Sequence, residues 1–127
     1  MGSVWTEMTL SNAAEPARKT VVRGLVDTGA VLTLLPEDVA EHLGLQAISK
    51  VIVRLADEQR KELVKAGPVR IDIGGRSGYF DCLLGPPNCE VLLGQVVLEE
   101  LDLIVDCVQQ RLTPRPESPF LPLLSLK

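Results

Sequence analysis

The chain is 127 residues long, enough to bury one core and too short for a two-lobed molecule. Hydrophobic residues make up 46% but aromatics only 3%, so the core has to be assembled from Val, Leu, Ile and Ala, a mix that favours strands. A formal net charge of −4 leaves no clustered basic footprint of the kind phosphate binding needs, which argues against nucleic acid as a partner.

Residues 4–10 predict a first strand, closed by turn-like residues 11–16, and residues 20–26 predict its hairpin partner. That partner runs into Asp27-Thr28-Gly29-Ala30, and a short strand follows at residues 31–35. Pro36-Glu37-Asp38 predicts a helix start, with proline at the first helical position and two acids complementing the positive end of the dipole. Leu35, Val39 and Leu43 lie four apart on one face, and Gly44 ends the helix. His42 on this helix reads as an ordinary surface residue.

Residues 51–55 alternate, with Val51, Val53 and Leu55 on one side; after the charged residues 56–61 the chain resumes at residues 62–64, which predicts a protruding hairpin. Residues 69–73 alternate more cleanly, Gly74-Gly75 supplies the turn, and residues 79–84 return. Residues 85–88 read as a loop, residues 90–94 as a buried strand ending in glycine, and residues 95–101 as a second short helix. Residues 103–106 and 111–113 form a last expected hairpin before Pro114, Pro116 and Pro119.

Cys82, Cys89 and Cys107 are an odd set without C-x-x-C spacing, and His42 is the single histidine. Neither a disulfide framework nor a zinc site is suggested, no metal or other cofactor is expected, and the thiols read as reduced groups in or near the core of a cytoplasmic protein. The first seven residues lack the basic and apolar regions of a signal peptide. Residues 118–127 are apolar but short and broken by Pro119 and Pro122, so no spanning helix and no membrane partner are expected.

Asp27-Thr28-Gly29-Ala30 is the only such tetrapeptide in the chain. Taken alone, its residues also favour an ordinary strand-end turn. A strand that delivers a carboxylate into a tight Thr-Gly turn is, equally, how aspartic proteases present each member of a catalytic pair. The two carboxylates share one proton because like charges a few Å apart cannot both ionise easily. One copy is half of that pair, so the chain would have to meet itself across a two-fold axis.

Four features in order carry a resemblance: Leu25-Val26-Asp27-Thr28-Gly29-Ala30, the helix of residues 36–44, Leu55-Ala56-Asp57, and Leu92-Leu93-Gly94 followed by residues 98–106. From about residue 4 to residue 116 the chain resembles the single-domain retropepsin-like aspartic proteases, in particular their small cellular relatives in bacteria and archaea. The resemblance implies an all-β fold with one or two short helices, a closed β-barrel working as a homodimer. The domain would span residues 1–116, with a Pro-rich apolar tail at residues 117–127. It implies an aspartic endopeptidase acting on peptide or protein substrates: one Asp27 holds the shared proton and polarises the scissile carbonyl, and the other, ionised, is general base on a water.

Within that resemblance Thr28 would hydrogen-bond across the dimer axis and Gly29 would let the substrate backbone approach closely. Ala30, Leu55, Ala56, Asp57, Leu92, Leu93 and Gly94 would line the substrate. Viral members usually carry an ion-paired aspartate and arginine where this chain has Val31 and Gln95, so the pair is replaced as a unit. The hairpin tip at residues 57–61 has no glycine and reads either as a substrate-covering flap or as a solvated turn. Residues 4–10, residues 111–124, or both would supply a dimer sheet, and Phe120, Leu121, Leu123 and Leu124 would pack on the partner or on the chain's own core. A second functional reading stays open: a dimerisation and peptide-binding module with weak or no proteolysis.

Overall fold

The computed structural model describes residues 3–126; Met1 and Gly2 of the N-terminal segment and Lys127 of the tail lie outside the described residues. Along the described residues run β1 (Trp5–Asn12), β2 (Lys19–Val26), β3 (Thr33–Pro36), α1 (Glu37–Leu43), β4 (Gln46–Arg54) and β5 (Arg60–Ile73). They are followed by β6 (Arg76–Gly85), β7 (Leu92–Leu93), α2 (Gln95–Leu101), β8 (Leu103–Asp106) and β9 (Arg111–Pro114). The first seven strands make one sheet in the order β1-β2-β7-β3-β6-β5-β4, and β1 also pairs with β5, so the sheet closes on itself and leaves β4 outside the ring. β8 and β9 form a separate antiparallel pair.

The ring encloses a core of aliphatic side chains, with Met8, Leu10, Leu35, Leu43, Ile71, Leu93 and Leu101 essentially without exposure. Phe80 is the aromatic member of that cluster. Cys82 is buried there, and burial, with a smaller contribution from the Asp81 charge, pushes its thiol up to about 12. Cys89 is half-buried and Cys107 exposed, which corrects the expectation that all three thiols lie in or near the core. No helix among the described residues is long and apolar enough to cross a membrane.

Several boundaries differ from expectation for identifiable reasons. β1 continues through Ser11 and Asn12 because residues 9–12 pair with residues 69–72 of β5, residues 9–11 of them pairing with β2 as well. Asn12 then ties that corner to the end of α1, donating from Nδ2 to the carbonyls of Leu43 at 2.9 Å and Gly44 at 3.2 Å. Pro36 is extended (φ −60°, ψ 143°) and paired with Gly85, so it closes β3 and stands before the helix rather than inside it. Gly44 ends α1 in the left-handed region at φ 71°, as its position predicts.

The segments expected at residues 62–64 and 69–73 are one strand, β5, whose pairing with β6 slips between Ala66 and Val69 around Gly67-Pro68. β4 starts at Gln46, earlier than expected, because residues 46–50 are exposed on both faces and show no alternation. The strand expected at residues 90–94 is reduced to Leu92–Leu93. Gly74 and Gly75 make the β5–β6 turn at φ 58° and 87°, and α2 has the predicted limits.

The chain beyond β9 is pinned by Asp102, the left-handed C-cap of α2. Asp102 Oδ2 accepts hydrogen bonds from Ser118 Oγ at 2.5 Å, the Leu123 amide at 2.8 Å and Arg115 Nη2 at 3.3 Å, while Oδ1 pairs with Arg115 Nε. Arg76, itself buried, donates to the carbonyls of Leu101 and Asp102, each at 3.0 Å, and to the Ser118 carbonyl. The apolar residues of this segment point outward: Phe120 is 88% exposed and Leu121 77%, which removes packing on the chain's own core as the account of the tail.

Arg115 first, then the Ser118 hydroxyl and the Leu123 amide, hold the Asp102 carboxyl well below the usual carboxylate range. A folded-state value below the unfolded one contributes stability that is present above the ordinary carboxylate value of about 4 and is lost as pH falls. Asn tolerates the left-handed backbone, so Asp102→Asn isolates the charge. The variant is expected to unfold at lower denaturant than wild type near neutral pH, with the difference shrinking below about pH 4. Limited proteolysis of residues 119–126 is expected to be faster in the variant.

Candidate active site

β2 delivers Asp27 to the site, and the turn that follows is closed by the turn's own backbone. The Ala30 amide donates to the Asp27 carbonyl at 3.1 Å, and the Gly29 amide donates to Asp27 Oδ1 at 3.0 Å. The Asp27 amide donates to the carbonyl of Leu93 at 3.0 Å, so the residue is braced from β7 as well as from its own strand. Asp27 is half-buried, while Thr28 and Gly29 are exposed at the tip. A Cβ on Gly29 would stand 3.3 Å from Asp27 Oδ1, crowding the carboxylate.

β7 lies between β2, to which it is parallel (Leu25 opposite Leu92, Val26 opposite Leu93), and β3, to which it is antiparallel (Leu34 opposite Leu92). The Asp27 turn therefore wraps around the end of β7, and Gly94 passes directly under it. A Cβ on Gly94 would sit 2.5 Å from the carbonyl carbon of Leu32 and 2.7 Å from the oxygens of Leu32 and Val31, so the position accepts no side chain. The Gly94 amide donates to Thr33 Oγ1 at 3.0 Å in a buried contact. The first amides of α2 continue the clasp, Gln95 donating to the Ala30 carbonyl at 2.7 Å and Val96 to the Val31 carbonyl at 3.1 Å.

Of the residues expected to form the site, Asp27, Thr28, Gly29, Ala30, Leu92, Leu93 and Gly94 are brought into this one cluster. Leu93 is fully buried in the core and Gly94 is buried against the backbone of Val31 and Leu32, which corrects the expected place of both against substrate; strand alternation leaves the half-exposed Leu92 on the other face. Leu55, Ala56 and Asp57 sit apart, at the exposed tip of the β4–β5 hairpin. That tip is closed by the Leu55 amide to the Gln59 carbonyl at 2.8 Å and by the Gln59 amide to Asp57 Oδ1 at 3.0 Å. Glu58 there adopts φ 68°. Among the described residues no hydrogen bond joins this tip to the Asp27 turn.

Thr33 is the contributor that sequence reasoning missed; a hydroxyl in the middle of the apolar stretch from Val31 to Leu35 was the available signal. Chemically, the arrangement presents a half-exposed carboxylate with one oxygen held by a backbone N–H, on a turn braced by β7 and the start of α2. Among the described residues no cluster of His, Cys, Asp and Glu is arranged to hold a metal ion.

Two variants test the clasp. Gly94→Ala forces backbone apart and is expected to cost about 3 kcal/mol or more of unfolding free energy, up to failure to fold. Thr33→Val strands the buried Gly94 amide and is expected to cost about 1–3 kcal/mol by urea denaturation.

Comparison with known proteins bears on this geometry. The family model described as aspartyl protease matches residues 15–97. No curated protein matches the sequence. Among solved structures, the retroviral protease-like domain of Ddi1 from Leishmania major is similar with a TM-score of 0.64 at 15% identity, over 98% of this chain and 96% of that one. The mostly β architecture with two helices is thus a retropepsin-like fold. With its Asp-Thr-Gly turn inside the matched stretch, the chain belongs to the aspartyl protease family.

Proposed function

We propose that the protein is an aspartic endopeptidase that works as a homodimer, with Asp27 of two copies facing each other across a two-fold axis. The observation that carries this reading is the braced, half-exposed Asp27 carboxylate, one oxygen of which is engaged by the Gly29 amide. The pair would hold one proton between them. The ionised carboxylate takes a proton from water as the oxygen attacks the scissile carbonyl; the protonated one donates to the carbonyl oxygen. Collapse of the tetrahedral intermediate then expels the amine with a proton returned to it. Thr28 would bond across the axis, Gly29, Ala30 and Leu92 would border the substrate backbone, and the β4–β5 hairpin would cover it.

The dimer is supported by the separate β8–β9 pair, whose outer edges find no strand among the described residues. An open edge of this kind is completed by a second copy. In this reading residues 1–116 form the enzyme domain, residues 117–127 the tail, and the ring-shaped sheet serves as the barrel of each half. A cytoplasmic setting fits its three unpaired thiols.

A second reading, a peptide-binding and dimerisation module with little or no proteolysis, is favoured by one observation. The hairpin tip holds Glu58 in the left-handed region, where a glycine-bearing flap would move freely.

Hydrolysis of a pool of unfolded peptides is expected between about pH 4 and 6, where a coupled carboxylate pair holds one proton. Asp27→Asn is expected to lower the rate by about 10²–10⁴-fold without loss of fold. Equal inertness of wild type and variant, both folded and dimeric, would select the binding module. Sedimentation of the wild-type chain at micromolar concentration is expected to show self-association; a strict monomer sinks the shared site.

A further inference from the structure

Beside the Asp27 turn, at the root of the β4–β5 hairpin, lies a cavity of about 210 Å³. Its apolar wall is made by Leu32, five residues beyond Asp27, with Val96 of α2 and Phe80 of β6. Its rim is polar. Lys65 of β5 and Asp81 of β6 meet there at 3.7 Å, Glu100 stands on the last turn of α2, and Tyr79 lies open to solvent at 63% exposure. Strand register explains the grouping: Lys65 is paired with Leu83, so Lys65, Asp81 and Tyr79 share one face of the sheet.

The cavity also belongs to the cleft side of the hairpin. Towards the tip, Val51 and Leu63, directly opposite each other, are half-buried while Ile52 and Glu62 on the other face are exposed; Lys65 shares the face of Leu63, and Val64 on the other face is half-buried where it pairs with Leu84. Near the tip the half-buried face is the one turned towards the protein body. A strand-like peptide lying between this face and the Asp27 turn sends alternate side chains the same way, about 7 Å apart. A cavity displaced along the turn by Leu32 receives a side chain some residues from the scissile bond.

The charges decide which side chain. Two carboxylates and one ammonium leave the rim with an excess negative charge. The Lys65–Asp81 pair is long and part-exposed, so it binds its partners weakly and leaves Asp81 free to accept a further donor. The volume is below that of ordinary small-molecule pockets and suits one long side chain. A guanidinium on an aliphatic stem matches all three features: the stem lies on Leu32 and Val96, the planar donors reach Glu100 and Asp81, and the cation faces the Tyr79 ring.

Resting on the peptidase reading above, we propose that this cavity is a specificity site for an arginine side chain of the peptide substrate, read by Glu100 and Asp81. The test uses extended peptides identical except at one position, moved stepwise up to four residues on either side of the cleaved bond. That position carries arginine, its neutral isostere citrulline, or glutamate. At about pH 6 the arginine peptide is expected to have a kcat/KM roughly two- to fivefold above citrulline at one position, and glutamate to fall below both. Glu100→Gln is expected to bring the arginine-to-citrulline ratio towards one, and Glu100→Lys to favour glutamate. Equal ratios at every position, or ratios untouched by either Glu100 variant, overturn the proposal. The same peptides, fluorescently labelled, are titrated onto wild type and Asp27→Asn by anisotropy, which needs no turnover. If no peptide is hydrolysed, the peptidase reading has failed, and the anisotropy ratios still decide the cavity by the same criterion.

Discussion

The fit of a bare backbone at Gly94 against the carbonyls of Val31 and Leu32 is the constraint on which the site depends. It lets β7 thread between β2 and β3, bonded to both, in a span of only two residues. It also solves a problem at the start of α2. A helix begins with amides that have no partner within it, and α2 has no side-chain cap. The carbonyls of Ala30 and Val31 accept from Gln95 and Val96 instead. Helix capping and placement of the Asp27 turn are thus one set of hydrogen bonds, and neither element has its geometry without the other.

The parts of this arrangement that were legible in the sequence are those written in local chemistry. The Asp27-Thr28-Gly29 turn, the limits of α2, the Gly74-Gly75 turn and the cap at Gly44 each follow from a residue type whose backbone preference acts over two or three positions. Parts that depend on partners far along the chain were not legible. β1 extends into polar Ser11 and Asn12 because β5, some sixty residues on, pairs with them. β5 runs through Gly67 and Pro68, residues that interrupt a strand pattern, because β6 accommodates them with a shift of register. Leu93 was placed against substrate by resemblance, and its alternation with Leu92 decides otherwise.

Beyond β9 the usual ordering of the chain is reversed. Ser118 and the Leu123 amide turn inward to Asp102, while Phe120, Leu121, Leu123 and Leu124 remain more than half exposed. Composition alone suggests the opposite, an apolar end that collapses onto the core. The reversal has a cause at the end of α2, where the buried Arg76 guanidinium caps the carbonyls of Leu101 and Asp102 and favours the negative end of the helix dipole. The Asp102 carboxylate beside it is satisfied by Arg115, Ser118 and Leu123. A buried carboxylate needs those donors more than leucines need cover, and the segment is drawn in by its backbone and hydroxyl.

α2 is consequently fixed at both ends, by the Asp27 turn at one and by Arg76 and the residues beyond β9 at the other. A helix of seven residues has little stability of its own, so its orientation is set by these two anchorages and by Val97, Leu98 and Leu101 in the core. The β4–β5 hairpin tip stands in contrast. Residues 55–59 are exposed, and the hydrogen bonds that close the tip lie within it. The fold therefore holds these two parts in different ways. Position is held by backbone wedged against backbone under Asp27, whereas the hairpin end is closed by hydrogen bonds of its own.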